Sequence, residues 1–346
     1  MNLQAIQKYL NKEGEPGFRL QQIQSGIYQK YCLSFEEIKG LPKNLAIKLE
    51  ENFPIFPFKT VSVLSSEDKR AFKALLETKD RHKIETVLLS PQANTFSACL
   101  SSQAGCALNC KFCSTGKIGF SRNLSPKEIS GQYLFWKNYF KKNNLPGNFS
   151  NIVFMGMGEP FLNWDNLKEA ILELNNPKLY NLGSRHISIS TSGISPKLKE
   201  LAKTFPQINL AVSLIFPEQK QRELYMPVAK QYSLKNLKQA IENYLTITKR
   251  KVFLEYIVFS GLNDRQESIT QLEKFVKSIS DWQKLIQINL IAYNDNNLDK
   301  FISPQPEKIQ KLKQELEKRR MKVTVRKSLG QDIQGACGQL AGNRTN

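Results

Sequence analysis

The sequence predicts an α/β protein, a partial, open (βα)6 barrel preceded by a small helical accessory domain and a short β extension. Three observations carry this. After a compact cysteine cluster, short apolar runs alternate with amphipathic segments of helical period, the pattern of a parallel sheet with helices outside. Counting the strand before the cysteines there are about six such units, fewer than the eight that close a barrel. At the N-terminus the apolar residues recur at three- and four-residue steps, with no strand alternation.

The elements follow in chain order. "LQAIQKYL", "RLQQIQSGIYQKY" and "NLAIKLEENF" read as short helices, divided by "GEPG" and "GLPK". "KTVSVLSS", "AFKALLET", "KIETVLLS" and "TFSACLSS" are short, partly alternating runs between charged turns, and read as strands. "LSPKEISGQYLFWKNYFKK" opens a helix, with Ser125 as N-cap and Pro126 at the first helical position. Strand and helix then alternate: "NIVFMG", "NWDNLKEAILEL", "HISIST", "SPKLKELAKTF", "INLAVSL", "SLKNLKQAIENYLTIT", "KVFLEYIVF", "DRQESITQLEKFVKSI", "LIQINLIAY", "QPEKIQKLKQELEKRR" and the strand "MKVTVR". A Gly-rich tail carries Cys337. The expected division is 1–57 helical accessory domain, 58–95 β-rich connection, and 96–346 barrel with a C-terminal loop.

Composition narrows the partners. Fifty Lys and Arg stand against 31 Asp and Glu, a net charge of +19. A surplus of that size points to a polyanion, most often nucleic acid, although lysine-rich helix faces would also produce it. No apolar run approaches the ~20 residues of a membrane helix, and the first residues lack the apolar core of an export signal. The expected location is cytoplasmic, where six sparse cysteines would serve metal or redox chemistry rather than a disulfide scaffold.

Three of the six lie within eight residues, as Cys106, Cys110 and Cys113 in "GCALNCKFC". Thiolates are soft ligands for zinc or iron–sulfur iron. A structural zinc would want a fourth ligand, and Cys337, His82 and His186 are all far off in sequence. Either zinc is completed from afar, or three cysteines hold a four-iron cluster with one iron left open for substrate. Phe112 next to Cys113 reads as packing or as part of that motif. "MGMGEP", after the next strand, is either a tight turn or a place where backbone closely approaches a ligand.

The C-x3-C-x2-C spacing resembles the signature of the radical S-adenosylmethionine (SAM) enzymes. The resemblance implies a 4Fe-4S cluster on Cys106, Cys110 and Cys113, with SAM chelating the free iron. Electron donation to the sulfonium would then yield a 5′-deoxyadenosyl radical. The flanks "CLSSQAGCALNCKFCSTGKIGFSRNL", "FMGMGEPFLN", "ISISTSG", "INLIAYN" and "DIQGACGQLAGN" are similar, over nearly the whole chain, to the RlmN/Cfr family of RNA adenine methyltransferases. RlmN-type members methylate C2 and Cfr-type members C8; "FCSTG", "MGEP" and "STSG" resemble the C2 type.

The resemblance implies roles. Cys337 would carry a methyl group as S-methylcysteine, and two SAM would be consumed per methylation. A covalent protein–RNA adduct would form, which Cys99 resolves through a disulfide. Glu85 would accept a proton. Gly158, Glu159, Ser190, Ser213, Leu214, Ile215 and Asn294 would contact SAM. Without the resemblance, Cys99 and Cys337 would read as small buried hydrophobes and Glu85 as an exposed strand glutamate; Cys32 is assigned to packing. Two positions depart from the family pattern: Ile215 replaces a usual His, and Asp295 a usual Pro. The implied partners are 23S ribosomal RNA in its peptidyl-transferase region, adenosine 37 of transfer RNA, and an electron donor such as flavodoxin or ferredoxin, with the protein a monomer. Two readings compete: a non-catalytic, metal-stabilised RNA-binding protein, and a radical enzyme impaired on RNA by Ile215.

Overall fold

The structure is a computed structural model that describes residues 2–296 and 300–342. Its centre is one ten-stranded sheet. Strands β1 (Phe58–Ser65), β2 (Ala71–Thr78), β3 (Lys83–Gln92) and β4 (Thr95–Cys99) run antiparallel to one another. From β4 the sheet continues in parallel through β7 (Asn148–Phe154), β8 (Ile187–Thr191), β9 (Asn209–Ser213), β10 (Val252–Val258), β11 (Ile286–Ala292) and β12 (Val323–Arg326). The β-rich stretch before the cysteines thus shares its sheet with the barrel, because β4 pairs on one side with β3 and on the other with β7.

Helices cover the outer face of the parallel part. They are α5 (Pro126–Lys142), α6 (Trp164–Asn175), α7 (Ser195–Thr204), α9 (Leu234–Thr248), α10 (Gln266–Lys277) and α12 (Pro306–Lys318). The start of α5 follows its sequence: the Ser125 hydroxyl accepts from the Glu128 amide, the Glu128 carboxylate accepts from the Ser125 amide, and Pro126 needs no hydrogen-bond partner there. Three elements carry no clear periodic signal. A two-stranded hairpin of β5 (Gln103–Gly105) and β6 (Phe120–Asn123) brackets the cysteines, α4 (Ser114–Lys117) follows them directly, and α8 (Gln219–Tyr225) precedes α9. A further turn of helix, α11 (Trp282–Leu285), leads into β11.

The N-terminal helices are α1 (Leu3–Lys12), α2 (Phe18–Tyr28) and α3 (Lys43–Asn52); the end of α2 and the segments that follow α2 and α3 meet α5 and α6. Phe56 stacks on Phe135 at 5.8 Å, Tyr28 meets Tyr180 edge-on at 4.8 Å, and Asn138 donates to the Tyr31 carbonyl at 2.9 Å. The main core is aliphatic: Ile152, Ile189, Leu210, Val212, Leu254 and Leu290 share the sheet face turned towards the helices. Among the described residues no helix is long and apolar enough to cross a membrane.

Candidate active site

The cysteines lie in the connection after β4, at the C-terminal ends of the parallel strands, where loops rather than core side chains come together. The β5–β6 hairpin closes the base of this connection. Gly105 adopts φ +80°, and a Cβ there would stand 1.9 Å from the Gly119 carbonyl, so only glycine lets the two strands cross this closely. The Cys106 amide donates to Gly119 at 2.8 Å, and the Cys113 amide to Cys110 at 3.1 Å. Cys106, Cys110 and Cys113 then face one cavity of about 920 Å³, which Gly158, Glu159, Ser190, Ser213, Ile215 and Cys337 also line.

The three thiols fit a cluster better than a single ion. Burial pushes Cys106 up to about 12 and raises Cys110 well above the ordinary thiol range, and the neighbouring cysteines add to both. Ionising these two therefore requires a strongly cationic partner. A closed zinc site takes four ligands, whereas three thiols beside a cavity suit a cubane that keeps one iron open.

The turn after β7 is held from the β5 side. Gly158 has φ +94°, and a Cβ there would lie 2.5 Å from Gln103 Cβ. Gln103 also accepts from the Glu159 amide at 2.8 Å. The Glu159 carboxylate is buried and accepts from the amides of Phe161 (3.1 Å) and Ser192 (2.7 Å). Burial raises its pKa. It is a buried acceptor in the wall of the cavity, suited to an ammonium group.

Ser213, Leu214 and Ile215 follow β9 in sequence but diverge in space. The Leu214 side chain is fully buried and lines neither this cavity nor the adjoining one. Its carbonyl, like that of Ser213, accepts from Arg222, whose other Nη donates to Ser192 at 2.7 Å. Arg222 thus ties together the loops after β8 and β9. Burial lowers its pKa to about 10. Ile215 faces the cavity with φ +55°, a strained conformation for a β-branched residue. Its amide donates to Glu255 at 3.2 Å and its carbonyl accepts from Asn263 at 3.1 Å. Both backbone groups are engaged within the protein, so Ile215 offers the cavity only its apolar side chain.

Cys337 stands where two cavities meet. The second, about 1420 Å³, is lined by Cys99, Cys113, Thr115, Met155, Arg326 and Cys337, among others. Cys337 is the one solvent-exposed cysteine of the six. Cys99 is buried at the end of β4, and burial pushes its thiol up to about 12, with Cys337 adding to the shift. Hydrogen bonds fasten the C-terminal loop at several points. The Ser114 amide donates to Gly338 (2.9 Å) and the Thr115 hydroxyl to Leu340 (2.7 Å). Asn294 donates to the Cys337 carbonyl at 3.1 Å and accepts from Gln331 at 2.7 Å.

Two expected site residues make contacts with that loop. Asn294 lines neither cavity; it positions Cys337. Glu85 also lines neither. It is 1% exposed, pairs with Lys73 at 2.8 Å, and accepts from the amides of Ala341 (2.7 Å) and Gly342 (3.1 Å). The reading of an exposed strand glutamate is corrected by this burial: the Glu85 carboxylate clamps the tail. Arg326 and Glu255 were missed in the sequence. Arg326 lines both cavities, and Glu255, held by Asn289 at 2.9 Å, lies 3.4 Å from it. They are one Arg and one Glu among many, on strands far apart in the chain, so no local pattern marks them.

Comparisons with known proteins agree with this geometry. Residues 100–272 match the Radical SAM superfamily model, and residues 1–55 match the Ribosomal RNA large subunit methyltransferase N-terminal domain. The chain is 39% identical to a probable dual-specificity RNA methyltransferase RlmN of Chlorobium phaeobacteroides, over 100% of this chain and 95% of that protein. It is 37% identical to a ribosomal RNA large subunit methyltransferase Cfr of Clostridium botulinum, over 94% and 92% of the two chains. A crystal structure of a radical SAM methyltransferase from Sphaerobacter thermophilus superposes with a TM-score of 0.91 at 33% identity, covering 99% of this chain and 98% of that one.

Proposed function

Because the chain belongs to the RlmN/Cfr family of radical SAM RNA methyltransferases, we propose that it methylates C2 of an adenosine in 23S ribosomal RNA. We propose adenosine 37 of transfer RNA as a second substrate. The observation that carries the reading is Cys337 at the boundary of two cavities, one bearing three cysteines and the other bearing Cys99. Adenine C2 is an electron-poor ring carbon that will not displace a methyl group from a sulfonium, so a polar transfer fails and a radical route is required.

Cys106, Cys110 and Cys113 would hold the cluster, and the residues lining the first cavity would bind SAM. Together the 4Fe-4S cluster and SAM supply one-electron cleavage of a carbon–sulfur bond. Every other role falls to the chain's own residues. Glu159 accepts from the ammonium of SAM, and Ser190 and Ser213 offer hydroxyls to its polar groups. Ile215 supplies apolar contact where the family's usual imidazole would sit. Cys337 carries the methyl group at the wall between the cavities, reachable from SAM on one side and from RNA on the other. Cys99, in the second cavity, would resolve the adduct: its sulfur bonds to that of Cys337 as the Cys337 sulfur–carbon bond breaks, its thiol proton passes to the released methyl carbon, and an external thiol then reduces the disulfide. Asn294, Ser114 and Thr115 keep the Cys337 loop in register. The adenosine must leave its stack to enter the second cavity, and the net charge of +19 draws the RNA in. We place this activity in the cytoplasm, in a monomer reduced by a small electron-transfer protein such as flavodoxin or ferredoxin.

The deciding experiment is nucleoside mass spectrometry of ribosomal and transfer RNA after anaerobic reaction with reconstituted protein, SAM and dithionite. 2-Methyladenosine that disappears in Cys337→Ala supports the reading. 8-Methyladenosine keeps the chemistry and moves the chain to the Cfr type. Intact SAM in the presence of a full cluster defeats the catalytic reading in favour of a metal-stabilised RNA-binding protein.

A further inference from the structure

A groove of about 1160 Å³ lies on the outer side of the cysteine loop. Lys111, Lys117 and Lys300 line it, together with Asn109, Tyr225 and Phe301, and no acidic side chain is among its described lining residues. It shares no lining residue with either cavity above. An aromatic stack stands between them. Tyr225 lies on Phe216 at 4.9 Å, Phe216 on Phe259 at 5.8 Å, and Phe259 meets Phe112 at 5.5 Å. Phe112 separates Lys111 from Cys113, and Asn109 and Lys111 flank Cys110. The groove wall is therefore the back of the ligand loop itself. That wall is pinned: the Lys111 amide donates to the Tyr225 carbonyl at 3.0 Å, and its ammonium lies 5.7 Å from the Tyr225 ring centre.

We propose that this groove is the docking site for the reductant, an acidic one-electron carrier protein of flavodoxin type. The proposal rests on the radical SAM reading above. That chemistry consumes an electron from outside, and the donor must approach the cysteine loop. SAM and RNA fill the two cavities on the Cys337 side, which leaves the back of the loop as the free approach. What stands there is a ring of lysines around an apolar patch of Tyr225, Phe301 and Ile302, the last 65% exposed. Charge complementarity of this kind steers a weak, transient encounter, as small electron-transfer interfaces require. On docking, the carrier is oxidised by one electron and the cluster is reduced by one; no proton or chemical group crosses the interface.

The test is binding of a flavodoxin of strongly negative net charge to the reconstituted holoprotein, at low and at physiological salt. In the double variant Lys111→Glu, Lys300→Glu, affinity should fall by about tenfold or more and the salt dependence should flatten. Iron content and dithionite-driven turnover at saturating RNA should stay at wild-type values, and RNA affinity should fall by less than flavodoxin affinity. Lys300→Glu alone lies outside the cysteine loop and should give a smaller loss in the same direction, should the double variant load its cluster poorly. Unchanged flavodoxin binding in both variants overturns the proposal. So does a loss of RNA affinity with flavodoxin binding intact, which would make the groove an RNA surface. If the wild type makes no methylated RNA even with dithionite, the functional reading fails, and the binding result still decides the docking site.

Discussion

Replacing Glu85 by alanine should release the C-terminal loop from the barrel. The Glu85 carboxylate is the acceptor for two tail amides, Ala341 at 2.7 Å and Gly342 at 3.1 Å, and the counter-ion of Lys73 at 2.8 Å. Hydrogen bonds to a charged group contribute about 1.5–3 kcal/mol each. Removing one partner of a buried ion pair costs about 3–5 kcal/mol, because the other is left uncompensated; Lys73 would retain only its 3.3 Å bond to the Gln334 carbonyl. These terms share atoms and do not add. Assigning about 3 kcal/mol to the loop lowers its closed-to-open ratio roughly 150-fold. Two measurements read this. Hydrogen exchange at the tail peptide should accelerate, and methylation of Cys337 by SAM in the absence of RNA should fall at least about tenfold. If exchange and Cys337 methylation are both unchanged while RNA methylation alone is lost, Glu85 works as a proton acceptor after all, and the clamp argument is wrong.

Three further outcomes can be checked directly. Gly158→Ala should abolish measurable SAM binding by equilibrium dialysis, because its φ of +94° and the 2.5 Å approach of Gln103 force the Glu159 turn to move. Arg222→Leu should lower stability by about 3–5 kcal/mol in urea titration, since the carbonyls of Ser192, Ser213 and Leu214 lose their donor together. Arg122→Met should flatten the acid limb of thermal stability. Arg122 holds Asp80 below the usual carboxylate range, helped by the Thr78 hydroxyl; at Glu128, burial pushes upward, but Arg122 and Ser125 outweigh it and the net shift is downward. Folded pKa values below the unfolded ones give stability that is present above the ordinary carboxylate range and is lost as pH falls through it. The melting-temperature gap between wild type and variant should therefore shrink from pH 7 towards about pH 3, and modestly, because Asp80 is about half exposed.

The features legible in the sequence were those with a local signature. The Ser125–Pro126 helix start shows in two adjacent residues, and the alternation of strands and helices shows in period. The cysteine loop shows because its ligands must be close in sequence to share one turn. The hairpin of β5 and β6 was invisible because strands of three and four residues show no alternation. Arg222, Glu255 and Arg326 were invisible because each acts on partners from other strands, and nothing beside them in sequence registers that distance. Leu214 and Asn294 fall next to cavity residues in the chain, yet one backbone step turns Leu214 into the core, and Asn294 spends its amide on the Cys337 loop. Resemblance gave Glu85 a chemical role, and burial against Lys73 gave it a mechanical one.

The pairing of β3 with β4 also bears on how far the catalytic half can be carried elsewhere. Phe96, Ala98 and Cys99 on β4 are buried, and their strand is flanked by β3 as fully as by β7. A transplant cut at the start of the barrel would strip β3 away and leave β4 as a bare, apolar rim with open amides and carbonyls, a template for pairing with any passing strand. A recombinant barrel beginning there should aggregate. For anyone grafting this chemistry onto a new RNA-binding partner, β1 to β3 have to travel with the barrel.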